Sequence, residues 1–328
     1  MKKVSVIVAV YNAAAYIREC LESLVRQTYP YLEIWCVDDC STDNSRSIVQ
    51  QYADKDDRIH LLSTPVNSGP AVARNMAVEK LTGDLTAFLD SDDWLSDDAI
   101  EKAVSVFESH PMTDCVLFTC MYHHPDGSES PYAAPPFSCL QGQDAFVKSL
   151  TWAIHGIYIA RSFLYKQFPY DTVCRTYSDD NTTRIHYYQS REVRMCGGIY
   201  YYRMNPHSIS HIQDISQLNY LKANESMKRQ LTALHVGEDI LNLYEYQRWL
   251  VLVDTYRFYY LNRSRFTSEE RKYCLSEIQR IWKNVETFRM PAVKKCKLGY
   301  APLSFSWTFF CIQEEIYFGL KKLFGLMS

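Results

Sequence analysis

The sequence predicts an α/β protein: a mainly parallel sheet flanked by helices, followed by a helical C-terminal region. Short apolar runs suited to buried strands recur at a spacing of roughly thirty residues, the length of a βαβ unit. Between them lie stretches whose apolar residues repeat with the helical period. From about Ile215 onward that helical period is continuous.

Taken in order, Val4 to Val10 forms the first strand, too short for a cleaved leader or a bilayer span. Tyr16, Ile17, Cys20, Leu21, Leu24 and Val25 then share one helical face. Leu32 to Val37 is the second strand, and Thr42 or Asp43 caps a helix carrying Ile48, Val49 and Tyr52. Arg58 to Leu62 and Leu85 to Leu89 continue the strand series, separated by the loop, turn and helix of Asn67 to Asn75. Asp97 caps a helix through Ile100, Ala103, Val104 and Phe107, and Cys115 to Cys120 is the fifth strand. Pro125-Asp126-Gly127 signals a hairpin, Pro131 to Pro136 an irregular loop, and Gln143 to Thr151 a helix. A boundary near Asp214 separates residues 1–214, the α/β part, from a helical region, 215–328.

Composition narrows the function classes. The 328 residues carry a net charge of −3, 47% hydrophobic and 22% charged, which is globular and lacks the basic excess of a nucleic-acid binder. Eleven cysteines, an odd number without a CxxC pair, suggest neither a disulfide framework nor a zinc site and fit a reducing cytosol. Near the C-terminus Lys294, Lys295 and Lys297 precede an aromatic run from Phe305 to Phe324 with Lys321 and Lys322 interleaved. Such a helix either lies in a membrane interface or packs in a core or homodimer; Gln313, Glu314 and Glu315 rule against a spanning helix.

Chemistry concentrates where apolar runs end, and ligands of open α/β sheets bind beyond the carboxyl ends of the strands. Asp90-Ser91-Asp92, on an extended backbone with Asp93 beside them, offers hard oxygen ligands for Mg²⁺ or Mn²⁺, or else an acidic helix-capping turn. Asp38 and Asp39 end the second strand and either accept hydrogen bonds from a base or ribose or cap a turn. Ala9 and Tyr11 end the first strand and line the same crevice. Arg74, one turn into its helix, reaches a phosphate or forms an ion pair with a strand-tip aspartate.

In this order the pieces resemble the inverting family-2 glycosyltransferases of GT-A fold. The family's "VSVIVPVYN" matches Val4 to Asn12 with Ala9 at the usual proline, and "VDDGSTDNS" matches Val37 to Ser45 with Cys40 at the usual glycine. "NxGxxxARN" matches Asn67 to Asn75, and "FLDSDD" matches Phe88 to Asp93 completely. The resemblance implies a GT-A, Rossmann-like sheet that binds a nucleotide sugar through Ala9, Tyr11, Asp38, Asp39, Arg74, Asp90 and Ser91. Asp39 would contact uracil or ribose with Asp38 supporting the turn. Asp92, with Asp90, would hold Mn²⁺ or Mg²⁺ against the leaving diphosphate.

The family's base lies in an "ED" pair before a helix. Alignment sets Ser178 at the glutamate and Asp179 at the base, with Asp180 as the competing assignment, or both acids as caps of a helix through Arg184. His155-Gly156 resembles an "HG" segment, making His155 either an acceptor-side residue or a core histidine. Tyr202-Arg203 and Ser208-Ile209-Ser210 resemble the "YR…SIS" loop near the donor phosphates, with His207 and His211 beside it.

The implied activity is metal-dependent, inverting transfer from a nucleotide sugar, a UDP-sugar foremost, to a glycan or lipid-linked acceptor. Its setting would be bacterial surface-polysaccharide assembly in the cytoplasm or at the inner membrane face. A sugar nucleotidyltransferase is the alternative enzyme, disfavoured because Tyr11-Asn12-Ala13-Ala14 replaces a glycine-rich phosphate loop. A degenerate, non-catalytic scaffold is the alternative of another class, supported by Ser178 and Cys40 and opposed by the intact acids.

Overall fold

Val4, Val6 and Val8 face one side of strand β1 (Val4–Val10) and Ile7 the other, and all are fully buried, as a strand covered on both faces requires. The computed structural model describes residues 1–133, 135–205, 214–290, 299, 301–302 and 304–325. Two compact units divide the chain, Met1–Ser208 and Ile209–Ser328.

In the first unit β1 is followed by α1 (Ile17–Val25), β2 (Leu32–Asp38), α2 (Ser45–Ala53), β3 (Ile59–Ser63), α3 (Pro70–Val78) and β4 (Leu85–Phe88). Then come β5 (Trp94–Leu95), α4 (Ala99–Ser109), β6 (Thr113–His123), β7 (Glu129–Pro131), β8 (Cys139–Gln141) and α5 (Gly142–Ser149). β9 (Tyr158–Arg161), α6 (Ser162–Gln167), α7 (Ser178–Gln189) and β10 (Glu192–Arg203) complete it.

One sheet runs β3-β2-β1-β4-β9-β6-β10-β5, with β7 on β6 and β8 on β10. β3, β2, β1 and β4 are parallel neighbours, β9 lies antiparallel between β4 and β6, and β6 is parallel to β10. The carboxyl ends of β1, β2, β4, β6 and β10 therefore share one edge. Ile17, Leu21, Val49, Ile100 and Phe107 pack one face of the sheet; Ala73, Ala77, Leu164 and Tyr187 pack the other.

Two expected caps fall one or two residues late. Asn44 is the N-cap of α2, because the Asp43 carboxylate accepts from the Ser45 N–H at 2.9 Å and ties down the turn ahead of it. Asp98 stands at the N-cap of α4, while the Asp97 carbonyl accepts from the Thr28 N–H at 2.8 Å. The hairpin forms as expected, with Gly127 at φ 80° in the turn between β6 and β7.

The second unit holds α8 (Asn219–Ala233), α9 (Glu238–Asn262), α10 (Ser268–Asn284) and α11 (Trp307–Leu323). Trp249, Tyr256, Ile278, Trp282, Phe310 and Phe318 share one core. A capping box, Thr267 with Glu270, starts α10. Buried Glu245 is bound by Arg248 at 2.8 Å and by Lys228. Among the described residues no helix is long and apolar enough to cross a membrane.

Candidate active site

Parallel strands deliver the tips of β1, β2 and β4 to one edge, and side chains lock those tips together. Asn12, at φ 49°, accepts from the Thr42 N–H at 2.8 Å, and its own N–H donates to Ser41 Oγ at 3.1 Å. The Ala13 N–H donates to Ser45 Oγ at 2.7 Å and the Ala14 N–H to Asp43 at 3.0 Å. The polar string after β2 thus clasps the loop after β1, leaving Tyr11 44% exposed and Ala9 half-buried beside it.

At the β2 tip Asp38 and Asp39 are both buried. Asp39 accepts from Thr64 Oγ1 at 2.7 Å, the Ser68 N–H at 2.9 Å and the Gly69 N–H at 2.7 Å. These last donors lie at the start of α3, so Asp39 caps that helix from another strand. Gly69 has φ 92°, a conformation that needs glycine, and Pro70 follows at the first helical turn. Three of about four acceptor positions on Asp39 are thereby used. Asp38 Oδ2 accepts from the Ser41 N–H at 3.3 Å, while its Oδ1 is buried without a protein partner. Cys40, the residue at the resembled glycine, has φ 62°, which explains why glycine suits the position.

From α3, Arg74 reaches the β4 tip. Its Nη2 donates to Asp90 Oδ1 at 2.6 Å and its Nη1 lies 3.6 Å from Asp179 Oδ2, at the start of α7. The rings of Phe88 and Tyr170 flank the guanidinium at 5.0 and 5.2 Å. Burial alone would pull Arg74 down, but Asp90, Tyr170 and Asp179 outweigh it and hold the group firmly charged.

The acids of β4 do not lie on the expected extended backbone. The Asp93 N–H donates to the Asp90 carbonyl at 3.1 Å, closing a turn that lets the chain reverse into β5. Asp92 is half-buried and its carboxyl is pushed up, by burial first and by Asp90 next. Asp93 is 2% exposed and pushed up further by burial, Asp90 and Asp92. Its carboxylate accepts from Tyr200 Oη at 2.7 Å and from the Arg203 N–H at 2.8 Å, so Asp93 anchors the turn from within. Ser91 sits half-buried in the turn.

Arg203, expected near the donor phosphates, supports the same turn: its Nε donates to the Asp92 carbonyl at 2.8 Å and its Nη2 to Glu19. Trp94 and Tyr16 lie 4.6 and 5.2 Å from its guanidinium. Asn205 Nδ2 lies 3.5 Å from Asp92 Oδ2. Tyr200 and Asn205 belong to no motif in the sequence; the only signal near them is that Tyr200 lies in the aromatic stretch Tyr200-Tyr201-Tyr202.

Asp179 is exposed and Asp180 half-buried at the start of α7. Asp180 is pushed up to about 7 by burial, with Asp179 adding to the rise and Arg184 opposing it. His155, expected on the acceptor side or in the core, is in the core: it is 5% exposed, pushed down to about 4 by burial, and accepts the Ile157 N–H at 3.3 Å. His207, Ser208 to Ser210 and His211 lie outside the described residues, as do Lys294, Lys295 and Lys297.

The family described as glycosyl transferase family 2 matches residues 5–172, just over half of the chain. The chain belongs to that family. Its fold, a mainly parallel sheet flanked by helices, is of GT-A type, with the C-terminal helices present as a further unit. A Bacillus subtilis glycosyltransferase named for a part in teichuronic acid biosynthesis, TuaG, is 50% identical over 99 residues, which cover 30% of this chain and 39% of that protein. The chain spans well under two thirds of the curated relatives that it matches first. A crystal structure of S. aureus TarS in complex with UDP-GlcNAc superposes with a TM-score of 0.75 at 20% identity, covering 96% of this chain and 91% of that one. The mannosyltransferase PcManGT from Pyrobaculum calidifontis, in complex with GDP-Man and Mn²⁺, gives 0.52 at 19% identity, covering 98% and 87%.

Proposed function

We propose that this glycosyltransferase moves a sugar, with inversion, from a UDP-sugar to a hydroxyl of a glycan or lipid-linked acceptor in bacterial surface-polysaccharide assembly. One observation carries the reading: Arg74 joins Asp90 at the donor-side strand tip to Asp179 at the head of α7. The names of the relatives support the class of donor and pathway, since TarS is described with UDP-GlcNAc and TuaG is named for teichuronic acid biosynthesis.

The β4 tip suits a divalent cation. Burial and then Asp90 raise the proton affinity of Asp92, burial, Asp90 and Asp92 raise that of Asp93, and of the three carboxylates Arg74 pairs only with Asp90. Among the described residues no group of three His, Cys, Asp or Glu is assembled to hold a metal. Mg²⁺ or Mn²⁺ commonly binds through one or two carboxylates, with substrate phosphates and water completing the shell. Asp92 and Asp90 would hold the ion; bound there, it supplies Lewis-acid neutralisation of the leaving diphosphate.

The remaining roles fall to the chain's own side chains. Asp39 fixes the loop ahead of α3, and with Asp38 it would accept hydrogen bonds from the base or ribose. Arg74 holds Asp90 in place and sets its spacing from Asp179. Asp179 takes the acceptor hydroxyl proton as that oxygen bonds the anomeric carbon; the bond to the diphosphate breaks and its electron pair leaves with UDP. Asp180 is the alternative base, its proton affinity already near neutrality.

The test is release of free nucleotide from UDP-, GDP-, CDP- and dTDP-sugars with Mn²⁺, Mg²⁺ or EDTA. The expected result is slow hydrolysis of a UDP-sugar that EDTA abolishes. Hydrolysis indifferent to EDTA removes the metal assignment; failure of UDP with Mn²⁺ to bind by calorimetry favours the non-catalytic scaffold.

A further inference from the structure

The C-terminal helix has two apolar sides where a packed helix needs one. Phe310 and Phe318 point inward and are fully buried with Trp249 and Tyr256. Phe305, Phe309, Ile312, Ile316, Leu320 and Leu323 repeat every three or four residues along the other side, each exposing between 43% and 78% of its surface. A continuous apolar stripe of this kind marks an interaction surface rather than a solvated face.

We infer that the outward face of α11 is a membrane-docking surface, lying flat in the head-group region of a bilayer rich in anionic lipid. The proposal is independent of the donor chemistry. Charge selects the occupant. Of the two acids in α11, Glu314 is fully buried, and Glu315 is engaged by Arg263 Nη2 at 3.0 Å and Tyr256 Oη at 3.2 Å. The outward face therefore shows no free carboxylate, while its last turn carries Lys321 and Lys322.

Residues 209–328 hold 17 lysines and arginines against 12 acids, a net charge of +5, whereas residues 1–208 carry −8. An anionic lipid surface complements that excess, with each basic group near it adding attraction. A second copy docked on the same face would bring two like-charged units together. Length fits as well: 17 residues make a helix of about 25 Å, all of it lined by the stripe and none of it suited to spanning. A slot of about 390 Å³ lined by Tyr256, Tyr259, Leu275 and Trp307 opens beside Ile312 and Ile316 and extends the apolar surface inward.

The experiment is co-sedimentation of the full chain with vesicles of phosphatidylcholine alone or with about one third phosphatidylglycerol. Roughly tenfold more chain should sediment with the anionic vesicles, and the difference should shrink as salt rises. The variant Ile312→Ser/Ile316→Ser/Leu320→Ser should lose roughly tenfold or more of this binding while hydrolysing nucleotide sugar in solution at the original rate. Lys321→Glu/Lys322→Glu should lose the preference for phosphatidylglycerol. Hydrogen exchange on the unaltered chain guards against a misfolded variant, because residues 305–324 should gain protection with anionic vesicles. No vesicle binding, no gain of protection, or undiminished binding by the serine variant overturns the proposal. So does a dimer in light scattering that the serine variant turns into a monomer.

Discussion

The two acidic strand tips look alike in sequence and are built oppositely. At the β2 tip, Asp39 is satisfied by three local donors and serves as a latch on the loop before α3. At the β4 tip, burial and Asp90 push Asp92 toward protonation, burial, Asp90 and Asp92 push Asp93, and of the three carboxylates Arg74 pairs only with Asp90. Within the β4 tip Asp93 is itself held by the Arg203 N–H and by Tyr200, so the contrast lies between Asp39 and Asp92. The difference is measurable at each residue.

The largest effect should come from Asp92→Asn. Losing that charge should lower metal-dependent nucleotide release by roughly 10² to 10³-fold, the scale of one electrostatic stabiliser, and weaken Mn²⁺ binding in calorimetry. An unchanged response to Mn²⁺ would erase the contrast between the tips. Asp179→Asn should cost roughly 10²-fold in transfer while leaving UDP-sugar affinity nearly intact, the mark of a positioned base. If Asp180→Asn gives that pattern instead, the base is one residue further on.

Next in size, Asp39→Ala should destabilise the first unit by about 1 to 3 kcal/mol, because it leaves two N–H groups of the α3 entrance without an acceptor. Thermal melting would register this even without donor, whereas Asp92→Asn should leave the melting temperature nearly unchanged or raise it. The pH axis separates the tips further. Because burial and Asp90 raise the Asp92 carboxyl, its protonated fraction grows as pH falls, so the apparent Kd for Mn²⁺ should rise from pH 7 to pH 5. That dependence should be much reduced in Asp92→Asn. The smallest change is at Cys40, where φ 62° strains any side chain. Cys40→Gly should stabilise by about 0.5 to 1 kcal/mol, seen as a rise in melting temperature.

Features encoded over a few residues were legible in the sequence: apolar runs ending in acids, helical periodicity, and the Pro125-Asp126-Gly127 hairpin. What escaped depends on distant partners. β9 enters the sheet antiparallel between β4 and β6, and β5 pairs with β10 about a hundred residues later. Nothing near Asp93 announces that Tyr200 holds it, or that Arg203 supports the carbonyl of Asp92. The acidic stretch forms a turn where an extended backbone is expected for the same reason, since its reversal is set by where β5 must pair. His155 could be read either way until its burial was known. The displaced glycine at Cys40 was visible as a substitution, but only the backbone angle explains it.

Arg74 also makes three charges depend on one another. Each of its partners makes the others tolerable: without Asp90 and Asp179 a guanidinium at 5% exposure is a liability, and without Arg74 the acids repel. Ala9, Cys40 and Ser178 depart from the resembled pattern, and none of the three is a partner of Arg74. Removing any one of the three charges leaves the other two with less compensation, so a single substitution here should cost more than the contact it deletes.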